Sequence, residues 1–304
     1  MIIRDRPPGW RLFFAVRGSI LHRIKWEVLT TVTIATIVTL VHGRVFEIKV
    51  TLTPIPFSLI GLALAIFLGF RNSATYDRWW EGRRHWGDLT IQCRSLARLI
   101  LAHLGRADPV LAAVQVRRLI AFAHLLRHAL RETPDQDSAA FLSPADQVML
   151  ADSANRTDAL LRAISRDLAE ASAARRIEPI QCARIEDALT ALARVQAGCE
   201  RIKGTPLPFS YTLLLHRTAH LYCLLLPFGL IDSIGYTTPL VVGLISYTFF
   251  GLDTIADEIE NPFGLLPNHL PLEAICRRIE IDLRDALGET DLPPPLAPVE
   301  SCLM

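Results

Sequence analysis

The chain carries almost no net charge: 32 Lys and Arg stand against 31 Asp and Glu, a formal +1 over 304 residues. Nucleic-acid binders normally concentrate a basic excess on one face, so no nucleic-acid partner is expected. Also absent is any CxxC pair. The six cysteines at 93, 182, 199, 223, 276 and 302 show no disulfide-like spacing and read as reduced packing residues of a cytosol-facing protein. No nucleophile elbow, P-loop, GxGxxG or Ser/His/Asp pattern occurs, which leaves an enzyme little support and calls for no cofactor. Strand signal is nearly missing, and no internal repeat of roughly 20–50 residues is visible.

What is present is apolar. Half of the residues are hydrophobic and mean hydropathy is positive. Val50 to Phe70 and Ser233 to Leu252 contain no charged residue over 21 and 20 positions, and a helix of roughly 20 such residues crosses about 30 Å of hydrocarbon. Val28 to Val41 is shorter and Thr-rich, flanked by Trp26 and His42, and Thr can return its hydroxyl to the helix backbone. Phe209 to Ile231 is long enough but contains His216, Arg217 and His220. Four crossings are expected in an all-α membrane protein.

Residues 1–25 hold six basic residues against one acid, with no small-residue cleavage site after them, so no signal peptide is expected. Arg4, Arg6, Arg11, Arg17, Arg23 and Lys25 should keep this segment cytosolic, since the first external loop has only Arg44 and Lys49 and the 232–236 turn has neither. Both termini then lie inside.

Residues 71–205 are periodic and charged, far too long for a loop, and read as a cytosolic helical bundle. Tyr76 to Leu104 continues the second crossing. Asp108-Pro109, Ser143-Pro144, Asn155 and Pro179 each open a further helix. Crossings three and four fill 206–252. Helices resume over 253–290, including Leu272 to Leu287, and the Pro-rich 291–304 reads as a disordered tail.

On a helix, Gly61, Ala65 and Gly69 form a small-residue ridge, and Leu62, Ile66 and Phe70 a bulky one with the same spacing. In a symmetric ring the bulky ridge would close the axis to a narrow apolar neck that gates by dewetting. Spacing alone leaves the alternative open that both ridges fill a helical core. The collar that follows, Arg71, Arg78, Glu81, Arg83 and Arg84 with Trp79 and Trp80, suits anchoring at the headgroup level, with Asp253, Asp257 and Glu260 at i, i+4 and i+7 as partners.

"FLGFRNSATYDRWWEGRRHWG" (67–87), "PLPFSYTLLLHRT" (206–218), "LLPFGLID" (225–232) and "ENPFG" (260–264) resemble, in order and spacing across nearly the whole chain, the bacterial branch of the bestrophin family of ring-forming ion channels. The resemblance implies a homopentamer with four transmembrane helices per subunit, in the bacterial inner membrane, with the second helix lining a central pore. It puts the neck at Leu62, Ile66 and Phe70. A second, cytosolic aperture falls near Ile180, where the surrounding "RRIEPIQ" matches poorly.

Animal bestrophins follow "NPFG" with an acidic run that helps to clasp calcium. Here "LLPNHLPLE" offers only Glu273, too little for a cation that takes six to eight oxygens. Asp253, Asp257 and Glu260 remain a candidate divalent-ion or salt-bridge face. His124 and His128 have the i, i+4 spacing of zinc helices without the HExxH glutamate and read as bundle histidines; no metal is expected. Arg217 either lines a vestibule or pairs structurally. The expected partners are further copies of the chain, the lipid bilayer and small permeating ions. Monovalent cations such as sodium are expected to pass, as in characterised bacterial relatives. The alternatives are an anion channel or a non-conducting scaffold or receptor.

Overall fold

A computed structural model describes residues 1–2, 9, 18–41, 44–45, 48–49 and 53–303. Arg4, Arg6, Arg11, Arg17, His42 and Val50, on which the orientation and two span limits rested, lie outside the described residues. Among the described residues the regular structure is helical apart from one two-stranded ribbon and isolated bridges near the termini. The chain divides into two compact units: an apolar one of Asp5–Trp79 and Pro206–Asn261, and a charged one of Met1–Arg4, Trp80–Thr205 and Pro262–Met304.

The apolar unit contains α1 (Leu21–Leu40), β1 (Arg44–Val45), β2 (Ile48–Lys49), the first part of α2 (Pro54–His103), α7 (Phe209–Ile234) and α8 (Thr238–Glu260). Thr31, Thr33, Thr36 and Thr39 return their hydroxyls to the carbonyls four residues earlier at 2.7–2.8 Å, which is how a Thr-rich helix hides its polar atoms. β1 and β2 pair antiparallel, Arg44 opposite Lys49. The core joins Ile24 and Ala35 of α1, Leu64 and Leu68 of α2, Tyr222 and Leu226 of α7, and Val242 and Phe250 of α8. Two glycines allow the close approach: a Cβ at Gly61 would lie 2.6 Å from the Tyr222 hydroxyl, and one at Gly229 would lie 2.7 Å from the Phe57 ring.

The charged unit contains the rest of α2, α3 (Pro109–Arg131), α4 (Pro144–Ala151), α5 (Arg156–Ala173), α6 (Pro179–Gly204) and α9 (Leu272–Ala286). α3, α4, α5 and α6 start where their capping residues dictate. Asp108 accepts from the Leu111 amide at 2.9 Å, Ser143 and Asp146 form a reciprocal box, and Asn155 accepts from the Asp158 amide at 3.1 Å. Glu178 and Gln181 form a second box ahead of α6. α3 stops at Glu132, which takes a left-handed φ of 55°. Arg118 is buried between Asp146 at 2.7 Å and Asp167 at 2.6 Å, tying α3 to α4 and α5.

The compact units divide at 79/80 and 261/262, because α2 and α8 run on unbroken and ion pairs between their extensions hold 71–79 and 253–261 in the apolar unit. One expectation changes. Residues 291–303, expected as a disordered tail, hold defined contacts. Arg284 Nη2 donates to the Asp291 carbonyl at 2.7 Å, Val299 and Cys302 exchange backbone bonds, and the Leu303 amide donates to the Met1 carbonyl at 2.8 Å. A Pro-rich chain is stiff and extended, so a few backbone bonds at its ends suffice to hold it.

Helices Ile55–His103, Pro109–Arg131 and the continuous Phe209–Glu260 pair are long and apolar enough to cross a membrane. α1 falls outside that set, and α3 enters it unexpectedly.

Candidate functional site

α2 turns a narrow stripe inward: Leu64 is 2 % exposed, and Leu68, Arg71 and Thr75 are fully buried. The bulky ridge points elsewhere. Leu62, Ile66 and Phe70 are 61 %, 49 % and 64 % exposed, so they form no part of the chain's own core. The small ridge meets α7 only at Gly61; Ala65 is exposed, and nothing approaches a Cβ built at Gly69.

Immediately after Phe70, Arg71 gathers the acidic face of α8. It pairs with Asp253 and Asp257, and Glu260 Oε2 lies 3.8 Å from its Nη2. Asp253 also takes a 2.7 Å bond from His216 Nδ1 on α7, and Glu260 accepts from the Leu207 amide at 2.9 Å. Arg78 Nε donates to the Glu260 carbonyl at 3.2 Å. The guanidinium thus occupies the position a cation would take among these three acids. No group of three or more His, Cys, Asp or Glu suited to a metal occurs among the described residues.

The rest of the collar serves both units. Tyr76 stacks on Trp79 at 6.3 Å, Glu81 pairs with Arg201 at 2.6 Å, and Arg83 and Arg84 are exposed. His216 lies 4.2 Å from His220, which stacks 4.5 Å from Phe250. These rings, Arg217 and Trp26 line a groove of about 780 Å³. Arg217 makes no ion pair among the described residues. The His216 bond to Asp253 was invisible in the sequence, because 37 residues separate the partners; a histidine inside an apolar run was its only signal.

Ile180 sits in the first turn of α6, 72 % exposed. Glu273 bonds Arg131 at 2.8 Å rather than standing free for calcium. His128 is engaged by Thr133 at 2.9 Å and by Asp137, while His124 is buried beside Phe141. The thiols of Cys199 and Cys276 are pushed up to about 12 by burial, which makes them inert packing groups.

A family model of the bacterial/fungal bestrophin protein matches residues 1–285. The chain is 43 % identical to a protein of Mesorhizobium japonicum named a voltage-dependent anion channel-forming protein, covering 99 % of this chain and 96 % of that one. A similarly named protein of Escherichia coli K12 is 41 % identical, covering 98 % of each. A crystal structure of a bacterial bestrophin homologue from Klebsiella pneumoniae matches with a TM-score of 0.82 at 38 % identity, over 88 % of this chain and 99 % of that one. An apolar helix whose bulky ridge finds no cover in its own chain, followed by an arginine locked to three acids, stands in a sequence matched over nearly its full length: the chain belongs to the bestrophin family of membrane channel proteins.

Proposed function

We propose that the chain is one subunit of a homopentameric channel that passes small monovalent anions across the bacterial inner membrane. α1, the first part of α2, α7 and α8 are its four crossings, and both termini face the cytosol. Copies of Leu62, Ile66 and Phe70 converge on the shared axis as a dry neck, and Ile180 narrows the cytosolic exit. The exposure of all three ridge residues carries this reading: an apolar ridge outside its own core needs lipid or other copies to cover it. Asp253, Asp257 and Glu260 act as structural anchors for Arg71 rather than as a divalent-ion site, fixing the end of the pore helix.

An uncharged neck imposes a dehydration barrier on ions of either sign, so it does not by itself select charge. The names of relatives 43 % and 41 % identical over nearly the whole chain support anions, in place of the sodium-like cations expected from the sequence. Purified protein in planar bilayers under a KCl gradient tests this. The reversal potential is expected near the chloride equilibrium potential. A value near that of potassium restores the cation reading, and no current at any voltage leaves a scaffold or receptor.

A further inference from the structure

In the charged unit, a cavity of about 510 Å³ lies between α3, the loop after it and α9. Its walls include His124, Arg127, Arg131, Asp137, Glu273 and Arg277. His124 and Arg127 are 5 % and 7 % exposed, and the Arg131 side chain 2 %. Both ring nitrogens of His124 and Nη2 of Arg131 are buried without a hydrogen-bond partner. Buried polar atoms are nearly always satisfied, and a cationic donor is the hardest to leave bare.

The chain's own carboxylates do not fill the gap. Asp137 is held by Arg127 and His128, Glu273 by Arg131 Nη1 at 2.8 Å, and Glu280 by Arg277 and Arg284 at 3.2 Å each. Asp137 Oδ2 stops 3.8 Å from His124 Nδ1 and Glu280 Oε2 stops 3.9 Å from Nε2, both beyond hydrogen-bond reach. Burial and then Arg127 push the His124 pKa down to about 4, so its neutral ring offers one N–H donor. Arg127, Arg131 and Arg277 each keep a carboxylate partner in Asp137, Glu273 and Glu280, so what stays bare is Arg131 Nη2 and the His124 ring. An anionic oxygen would satisfy the Arg131 donor with a charge-assisted bond, the stronger class.

We propose that this cavity binds a small oxyanion through carboxylate or phosphate oxygens, held by Arg131 Nη2 and the His124 N–H, with Arg277 at the mouth. Every donor lies within the charged unit, and Ile180 is not among the residues that line the cavity. Its Arg131 and Arg277 contacts are charge-assisted, the stronger class of hydrogen bond.

Isothermal titration of the full-length protein in detergent, with inorganic phosphate and separately with succinate at ionic strength matched by NaCl, tests the assignment. Saturable binding of one anion is expected, and whichever binds names the oxygen chemistry. Affinity should fall about tenfold or more in Arg131→Gln, the loss of one charge-assisted bond. Arg277→Gln, on a partly exposed side chain where folding is retained, should weaken binding in the same direction. Arg117→Gln, whose side chain pairs with Glu289 outside the cavity, should bind as the parent does. No saturable heat with either anion, or unchanged affinity in Arg277→Gln, overturns the proposal and leaves the donors to water. Neither result bears on the channel, which is read by current.

Discussion

α2 and α3 are both long and apolar enough to cross a bilayer, yet only 17 % of the apolar stretch of α2 is buried in the chain, against 67 % in α3. α3 turns Leu119, Ile120, Phe122 and Ala123 inward and buries Arg118 and Arg127 beside them; its neighbours in the charged unit use up its apolar surface. α2 leaves Leu59, Leu62, Ile66, Phe67 and Phe70 outside. Hydropathy counts greasy residues but does not say what covers them. Burial within one chain separates a core helix from a helix that needs lipid or further copies.

The largest effect expected is the loss of a buried guanidinium. Arg71→Ala leaves Asp253 buried without its charge partner, and Arg118→Ala does the same to Asp146. Removing one member of such a pair costs about 3–5 kcal/mol, so both variants should lose their monodisperse peak in size-exclusion chromatography. If Arg71→Ala alone survives, the apolar unit is held by packing rather than by its ion pairs.

Phenylalanine gives the sharpest form of the comparison. Phe122 is fully buried and Phe70 is 64 % exposed. Phe122→Ala should lower stability by about 3–5 kcal/mol, read as a large drop in melting temperature. Phe70→Ala should leave melting nearly unchanged and raise single-channel conductance, and Ile66→Ala should do likewise. Unchanged currents in both would remove these side chains from the neck.

Much of this contrast was readable from the residues. Asp108, Ser143, Asn155 and Pro179 marked four helix starts because caps and Pro at the first turn are local signals. The i, i+4 ridge of Leu62, Ile66 and Phe70 was visible for the same reason. α3 read as a bundle helix and packs as one in the charged unit, although the partners that bury its Arg118, Asp146 and Asp167, lie 28 and 49 residues away. Three things were not visible. The His216 bond to Asp253 and the cavity around His124 form only when distant elements meet. The tail looked disordered because composition reports stiffness and polarity, whereas its contacts are backbone bonds that any sequence can make. Ion sign is not legible in Leu62, Ile66 and Phe70 for a related reason: these side chains carry no charge to read.

Inserted charge separates the two helices directly. Phe67→Asp places a carboxylate on the exposed face of α2, where lipid contact costs about 2.5–3.5 kcal/mol, and should sharply reduce the membrane-inserted fraction after expression. Val110→Asp falls on a 74 % exposed position in the first turn of α3, where water solvates the charge and the helix dipole favours it. Its inserted fraction and melting temperature should match the parent. Similar losses in both variants would put α3 in lipid and erase the distinction drawn from burial.

The smallest effect is a pH slope carried by α3. His124 titrates at about 4 in the folded chain against an ordinary 6.5, held down by burial and then by Arg127. Between those values the unfolded chain binds the proton and the folded chain does not. Stability must therefore decline as pH falls from about 6.5 toward about 4, and this contribution is fully present above that window. Thermal melts in phosphate-free buffer should show the decline, and His124→Leu should flatten it without removing the share that carboxylates contribute near its lower end. α2 holds no such buried base in its exposed stretch, so substitutions there should leave the slope alone. Equal slopes in the parent and His124→Leu would mean that the imidazole takes up a proton as readily folded as unfolded, and α3 would then be less enclosed than its burial implies.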